Sequence, residues 1–591
     1  MTSRHSRAGV AVAMLLASAL AAFLMWVLRP AVPDSPTLRF SHRLPQGMDF
    51  PTDVYSAGLA IARDGRRIAY VARDLESGDT HLYSLELNEF RASRLAATEG
   101  ASSPFFSPDG RWIGFFASGK LKKVSIQGAP LVELSEAPFG GGGAWTKDNF
   151  IYFLRSMPGE IWRVPAGGGP TESVTKLEAN EFVHFSPVTL PGSNAVLFAA
   201  YDRAQTTSVF LLEPASGDRS LLVESGDTPT YAPSGHLLYA HSGKLMAVAF
   251  DSRGLQPKGT AVPVLEGIQG RQWGLGDFYD LSDNGVLVHV PGLGGRPARR
   301  LIWLEPGGEP DPSSKNVERY IDPSLSPDGR RLAVAVGGDG LQQLWTLDLM
   351  RDTLTRLTFL EESAAYAPIW TPDGRRITFS ASNEIFSVAV DGSEIPEALF
   401  QGGELYELVL PTSWTPDGVT LAYTKFAGFR SDVWLYDPGT NPPTQPFLAT
   451  DADEGQAVFS PDGSWLAYTS NESGRHEVYV TAFPGPGGKS QISTNGGNQP
   501  RWARDGHELY YIERTSMMAV GIETRPVFTP GRPREIFDRY WPLEGAVANY
   551  DVAPDGRFLI IEPNPDEAAH QEIRIVVNWF PELKRLVPTD P

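Results

Sequence analysis

Ser326-Pro327-Asp328-Gly329, Thr371-Pro372-Asp373-Gly374, Thr415-Pro416-Asp417-Gly418 and Ser460-Pro461-Asp462-Gly463 are near copies of one tetrapeptide, and Ser107-Pro108-Asp109-Gly110 is a fifth. Weaker copies stand at Arg63-Asp64-Gly65, Lys147-Asp148-Asn149, Pro191-Gly192-Ser193, Pro233-Ser234-Gly235, Asp283-Asn284-Gly285, Arg504-Asp505-Gly506 and Pro554-Asp555-Gly556. Together they make twelve anchors with a mean spacing of about 45 residues. Each reads as a tight turn: proline presets φ at the first corner, Asp bonds back to the backbone, and Gly takes the left-handed exit.

Around each anchor the apolar pattern has a period of two. A short run precedes it (Pro104-Phe105-Phe106, Ile369-Trp370) and a longer one follows (Arg67-Ile68-Ala69-Tyr70-Val71, Trp465-Leu466-Ala467-Tyr468-Thr469). A third strand comes next (Gln343-Leu344-Trp345-Thr346-Leu347, Asp432-Val433-Trp434-Leu435-Tyr436), and many units end on a fourth such as Leu354-Thr355-Arg356-Leu357-Thr358. Four short strands per unit, rich in β-branched and aromatic residues, describe a propeller blade. One blade cannot bury both faces of its sheet, so the blades must stack radially. Known propellers hold about 4–8 blades. The expected fold is therefore all-β: two tandem β-propellers of about twelve four-stranded blades, most simply six and six, with seven and five left open. The expected domains are 37–310 and 311–591, with linker-like Pro291-Gly292-Leu293-Gly294-Gly295-Arg296-Pro297 near the middle and the boundary near 306–320. Arg300-Leu301-Ile302-Trp303-Leu304 reads as the third strand of the sixth unit, and Thr37 to Phe40 as an outer strand able to close a ring.

Composition agrees with a large, turn-rich, folded chain: 591 residues, 59 Gly, 49 Pro, 11% aromatic residues and no Cys. The absence of Cys removes disulfide frameworks, thiolate zinc sites and cysteine nucleophiles. With 51 Lys+Arg against 70 Asp+Glu the net charge is −19, which opposes a nucleic-acid backbone as partner because counterion release needs clustered cations. At the N-terminus, Arg4 and Arg7 precede an uncharged run from Ala8 to Leu28, closed by Arg29-Pro30. At ~1.5 Å rise that run spans a ~30 Å hydrocarbon core and exceeds the ~7–15 residues of a signal-peptide core, although Ala19-Leu20-Ala21 is a small-x-small site. The expectation is a cytoplasmic tail at 1–7, one transmembrane signal anchor at 8–28 and a linker at 29–36. The bulk of the chain would then be periplasmic on a bacterial cytoplasmic (inner) membrane, with basic residues inside.

The chain resembles tandem WD-type repeats of the TolB-like propeller class, and more narrowly the extracytoplasmic region of many bacterial transmembrane serine/threonine protein kinases. The stretches that carry the likeness are Glu99 to Phe116, including Ser103-Pro104-Phe105-Phe106-Ser107-Pro108-Asp109-Gly110, then Phe483-Pro484-Gly485-Pro486-Gly487-Gly488-Lys489, and Val577-Asn578-Trp579-Phe580-Pro581-Glu582-Leu583. The resemblance covers roughly 37–591 and implies a sensor or interaction surface. Only seven residues precede the expected span, so no kinase loop, lysine or aspartate carries over. TolB-like blades also resemble those of prolyl-oligopeptidase-type peptidases. That activity needs a Gly-x-Ser-x-Gly elbow on a hydrolase domain, and neither the motif nor enough chain after Asp555 is present.

The remaining chemical motifs are sparse. His476-Glu477 and His507-Glu508 open zincin-like patterns that lack the second His. Asp451-Ala452-Asp453-Glu454-Gly455 is acidic but lacks an EF-hand's alternation, and His236, His241 and His289 flank the second strands of two adjacent blades. Trp145, Trp370, Trp414 and Trp502 recur just before the turn, which reads as packing between blades. No cofactor, metal or catalytic set is expected. Propeller ligands meet the loops leading into the innermost strands, which selects His184, Asp227 and Asp277 in the first ring and Tyr366, Glu454 and Asn498 in the second. The expected function is non-enzymatic binding of an envelope protein, peptide or glycan as a sensor or scaffold. The alternative is a hydrolase or lyase with its site in the central funnel.

Overall fold

A computed structural model describes residues 36–589 except 52–57, 75–76, 128–129, 139, 191–194, 203–205, 271–277, 293–298, 309, 313–317, 338–341, 362, 402–406, 428–429, 486, 515, 525–526, 539–547 and 564–570. The described chain is nearly all β. It forms twelve antiparallel sheets, ten of four strands and two of five, consistent with propeller blades. A representative sheet runs Tyr366–Trp370, Arg376–Ala381, Glu384–Ala389, Glu397–Gln401 in chain order, with Trp370 opposite Ile377 and Arg376 opposite Ala389.

The anchor turns have the predicted chemistry. Thr371 Oγ1 donates to Asp373 Oδ1 at 2.6 Å and accepts from the Arg376 N–H at 3.1 Å, while Asp373 Oδ1 accepts from the Arg375 N–H at 3.1 Å. The Thr371 hydroxyl, and then that amide, hold the Asp373 carboxyl below the usual range. Gly374 takes φ 67° at the exit. The proline adds a role that turn chemistry alone does not require: it packs on the glycine of the next turn. A Cβ on Gly374 would lie 3.6 Å from Pro327, on Gly418 3.7 Å from Pro372, on Gly463 3.1 Å from Pro416, on Gly506 3.6 Å from Pro461 and on Gly329 2.7 Å from Pro554.

The innermost strands fall into two closed cycles. Leu59–Ile61, Ser102–Phe106, Gly143–Trp145, Glu181–Thr189, Asp227–Ala232 and Tyr279–Leu281 neighbour one another in that order, and the last returns to the first. Arg319–Leu325, Tyr366–Trp370, Glu407–Trp414, Glu454–Phe459, Asn498–Trp502 and Tyr550–Val552 do the same. Core residues lie between adjacent sheets of a cycle: Val458, Val478 and Val480 of one sheet bury against Trp502, Leu509 and Tyr511 of the next. Burying each such side chain contributes about 1.5–3 kcal/mol.

The sheets that close the two cycles are built across the chain. Tyr279–Leu281 and Leu287–His289 are continued by Glu572–Val577 and then by Leu38–Arg43. Tyr550–Val552 and Phe558–Pro563 are continued by Arg299–Leu304 and Asp311–Pro312. The segment beginning at Thr37 is thus an outer strand, as expected. Arg299–Leu304 is a third strand, but of the other cycle's sheet, and a linear division near 310 cuts through both closing sheets. The reason is pairing: the second strand of each closing sheet, instead of turning back, passes into the third strand of the other.

After Glu572–Val577, Trp579 and the helix Phe580–Leu586 pack on the first cycle. Pro581 stands in the first turn of this helix, and Lys584 and Arg585 fall in its last turn. Trp579, Leu583 and Val587 are buried with Ala232, Leu238, Ala240 and Leu287, so the tail wedges between its last two sheets. The expected single-pass placement in a bacterial cytoplasmic membrane is corrected. Among the described residues no helix is long and apolar enough to cross a membrane, and the helix found there has 7 residues. The expected span 8–28, the tail 1–7 and candidate Asp277 lie outside the described residues.

Candidate functional site

The centre of the second cycle is shaped by a repeated irregularity. Asp322, Ala367, Gln456 and Gln499 sit in the left-handed region at φ 50 to 57°, each at a bulge in an innermost strand. In Asp322-Pro323, Ala367-Pro368 and Gln499-Pro500 a proline follows, which disfavours the right-handed helical region for the residue before it. The extra residue bends the strand and turns its side chain toward the next sheet. Asp322 accepts from the Ala367 N–H at 2.9 Å, Gln456 from the Gln499 N–H at 2.8 Å, and Gln499 from the Asn549 N–H at 3.1 Å. These bonds form a collar at one rim, and the proline–glycine contacts form a belt at the other.

Tyr-Asp pairs latch both cycles. Tyr550 donates to the Gln499 carbonyl at 2.7 Å, and Asp551 accepts from the Leu325 N–H at 2.7 Å. In the first cycle Tyr279 bonds the Thr228 carbonyl, and Asp280 accepts from the Ile61 N–H at 2.8 Å. Burial pushes the Asp280 carboxyl up to about 6, against the pull of the Ile61 and Leu281 N–H groups and of Arg63.

Between collar and belt lies a cavity of about 390 Å³ to which all six sheets of the second cycle contribute. Trp370, Trp414 and Trp502 wall it. Their indole N–H groups are spent on the preceding sheet: on the Ser324 carbonyl at 2.8 Å, Thr378 Oγ1 at 3.0 Å and the Val458 carbonyl at 3.2 Å. The expected packing role of these tryptophans is what the bonds show, and the same residues leave apolar surface on the cavity. Among the described residues its charged ones are Arg501, Arg504 and Asp551. Arg501 Nη1 donates to the Pro500 carbonyl at 3.1 Å, its Nε stands 4.0 Å from Asp551, and Arg504 Nε donates to the Val552 carbonyl at 3.3 Å.

The residues selected from sequence occupy other places. His184 is fully buried: its Nδ1 is 2.8 Å from Thr175 Oγ1 and its Nε2 2.9 Å from Glu181 Oε2. Thr175 Oγ1 also accepts from the Ile161 N–H at 2.9 Å, so its proton goes to Nδ1, and Nε2–H faces the carboxylate. Burial opposes the Glu181 charge, yet Arg219, His184 and the Glu178 N–H hold this carboxyl well below the usual range. The trio has the order of a hydroxyl–imidazole–carboxylate relay but is closed to solvent. Its place is matched by Thr358 with Gln343 and by Ser493 with Glu477, hydroxyls that likewise accept from the backbone of a third strand. Glu454 is buried and bonded to Thr450, and Asp227 accepts from the Thr228 hydroxyl at 2.7 Å. Asn498 opens an innermost strand opposite Ile512, and Tyr366 stands near Tyr201 of the first cycle. None of the five that fall within the described residues lines the cavity.

His236 is tied to Ser234 at 2.9 Å and to the Val587 carbonyl at 2.7 Å, and His241 is exposed. Among the described residues no group of three or more His, Asp or Glu is arranged to hold a metal. Sequence reasoning missed Arg501, Arg504, Gln456 and Asp551. Two signals were available: Arg504 stands where the other five turns of this cycle carry proline, and Tyr-Asp recurs at 279–280 and 550–551.

No family model matches the sequence. An uncharacterized peptidase, YuxL of Bacillus subtilis (strain 168), is 27% identical over 189 residues, 30% of this chain and 27% of that relative. The chain therefore spans little more than a quarter of the curated relative it matches. Similar solved structures include a chain assigned as TolB from Agrobacterium tumefaciens (17% identity, 46% of this chain and 100% of that chain, TM-score 0.37). They also include TolB from Acinetobacter baumannii (13%, 68% and 82%, TM-score 0.25) and the oligogalacturonate lyase of Vibrio parahaemolyticus (13%, 61% and 95%, TM-score 0.32). Two of these neighbours carry the name TolB, and the twelve sheets of this chain are consistent with propeller blades.

Proposed function

We propose that the chain is a binding module made of two six-bladed propellers, the second inserted into the closing blade of the first, and that it holds a protein, peptide or glycan in the second ring. The two closed cycles of innermost strands support the six-and-six reading. On it the second propeller comprises about residues 299–563, and the first is assembled from both flanks. The observation that carries the functional reading is the cavity at the convergence of six sheets, with three tryptophans and two arginines on its wall. A ring whose sheets are joined by a hydrogen-bonded collar presents such a wall without reorganisation, which limits the entropy lost on binding.

Peptide and glycan arrays probed with the wild-type chain and with Trp414→Ala test the reading. Ligands bound by the wild type and lost by the variant, both probed at a temperature where circular dichroism shows the variant folded, are expected. Identical profiles would place binding elsewhere.

A further inference from the structure

We infer that the second-ring cavity takes an acidic peptide segment, admitted through the rim framed by the Ser/Thr-Pro-Asp-Gly turns and held by Arg501 and Arg504. This rests on the reading of that cavity as the binding site.

The choice of rim follows from the topology. In both cycles the second strand runs away from its anchor turn, so Leu287–His289 and Phe558–Pro563 each end at the opposite rim. From there the chain crosses to the other cycle. Tyr201 ends a second strand of the first cycle and Tyr366 begins an innermost strand of the second. Both sit at the crossover rim, and they are close enough for Tyr366, after burial, to push the Tyr201 phenol up. The crossover rims therefore face each other. The turn rim of the second cycle is exposed, with Pro416, Pro461 and Arg504 at the surface.

The class of ligand follows from charge. Asp551 accepts from the Leu325 and Val552 N–H groups at 2.7 and 2.8 Å and stands 4.0 Å from Arg501 Nε, so it offsets part of one arginine's charge and leaves the pair of arginines in excess. The arginines are less engaged. Arg501 Nη2 and both terminal nitrogens of Arg504 donate to nothing among the described residues, while each guanidinium is tethered by one bond to a carbonyl. Two oriented forks at the mouth of a cavity match carboxylates spaced along an extended chain. Arg504 also occupies the one anchor turn of this ring without proline, between the fifth and sixth sheets, so the belt is broken where the cation stands. On a chain of net charge −19 this cationic mouth is local. An acidic ligand is attracted there and repelled from most other surfaces.

The probe is a fluorescein-labelled hexaglutamate carrying one benzoylphenylalanine, compared with a neutral Gly-Ser hexamer and hexalysine by anisotropy on the full chain. Binding of hexaglutamate alone is expected, weakening with salt, with photo-cross-links on strands and turns of the second ring. Arg504→Gln, at an exposed position, should weaken it by about tenfold or more with no change in thermal midpoint, and Arg501→Gln similarly. If Arg501→Gln does not fold, Arg504→Gln decides alone. A neutral hexamer that cross-links to the cavity equally well, unaffected by Arg504→Gln, would overturn the acidic class and leave the cavity standing as a site. Hexaglutamate cross-linking only outside the second ring would overturn both. Competition by hexagalacturonate but not by unlabelled hexaglutamate would overturn the peptide class.

Discussion

His184→Ala separates two roles that sequence reasoning left side by side, a funnel-loop ligand contact and a buried hydrogen-bonded histidine. Removing the imidazole leaves the Thr175 hydroxyl proton without an acceptor and takes one donor from Glu181, which keeps Arg219 and the Glu178 N–H. Stranding a buried polar group costs about 1–3 kcal/mol. The ring also packs on Phe198, with centroids 4.7 Å apart, so truncation opens a void whose cost adds to this. The sum is about 3–5 kcal/mol. Urea unfolding should show it as a lower midpoint, and the loss should trace to the first cycle, because the network lies wholly within two of its sheets. His184→Gln, which offers one acceptor and one donor, should recover part of the loss. Ligand capture by the second ring should survive under conditions where the variant is folded. Unchanged stability together with lost capture would refute the structural assignment and return His184 to the binding surface.

The belt of prolines and glycines predicts unequal effects of one substitution. Gly556→Ala, at φ 84° with nothing within 4 Å of the new Cβ, should cost about 1–2 kcal/mol of strain, whereas Gly329→Ala adds a 2.7 Å clash with Pro554 and about 1–3 kcal/mol more. Equal losses in urea midpoint would remove the belt from the account. Asp280, pushed up to about 6, binds its proton more tightly folded than unfolded. Its contribution is therefore present below about pH 4 and lost as pH rises through 6, by up to about 3 kcal/mol at about 1.4 kcal/mol per unit. Asp280→Asn should abolish that slope, and parallel stability curves for variant and wild type would disprove it. A chain in which 299–563 are replaced by a short Gly-Ser linker should unfold cooperatively by circular dichroism, and the fragment 37–310 should not, because it lacks Glu572–Val577 of its closing sheet.

Local structure was legible to the extent that it is written in short stretches. The turns, the strands beside them and the packing role of the tryptophans follow from period-two apolar runs and Ser/Thr-Pro-Asp-Gly chemistry, and the sheets agree with them at the eleven turns other than 191–193, which lies outside the described residues. The division near 310 did not follow, because which third strand pairs with Leu287–His289 is fixed by contacts with Glu572–Val577 far along the chain. His184 drew notice for its place beside a loop leading into an innermost strand. Its meaning lies in Thr175 and Arg219, which no spacing rule connects to it. Arg504 was hidden for the opposite reason: it was read as a weak copy of the turn, when its departure from proline is the informative feature.

The exchange between the closing sheets bears on how the two rings act together. Each ring lacks one hairpin connection and receives a strand from the chain of the other: Arg299–Leu304 completes the second, and Glu572–Val577 completes the first. Both crossings leave from the rims that face each other, so the rings are held by two connections instead of one. A single flexible tether lets domains reorient freely, whereas two tethers at one edge restrict motion to opening and closing about that edge. Leu38–Arg43, as the outermost strand on Glu572–Val577, ties the start of the described chain into the same sheet. Unfolding of either closing sheet frees a strand end of the other. Local loss at Asp280 or Asp551 should therefore propagate through the shared crossings, while damage at His184, two sheets away from them, stays within its own ring.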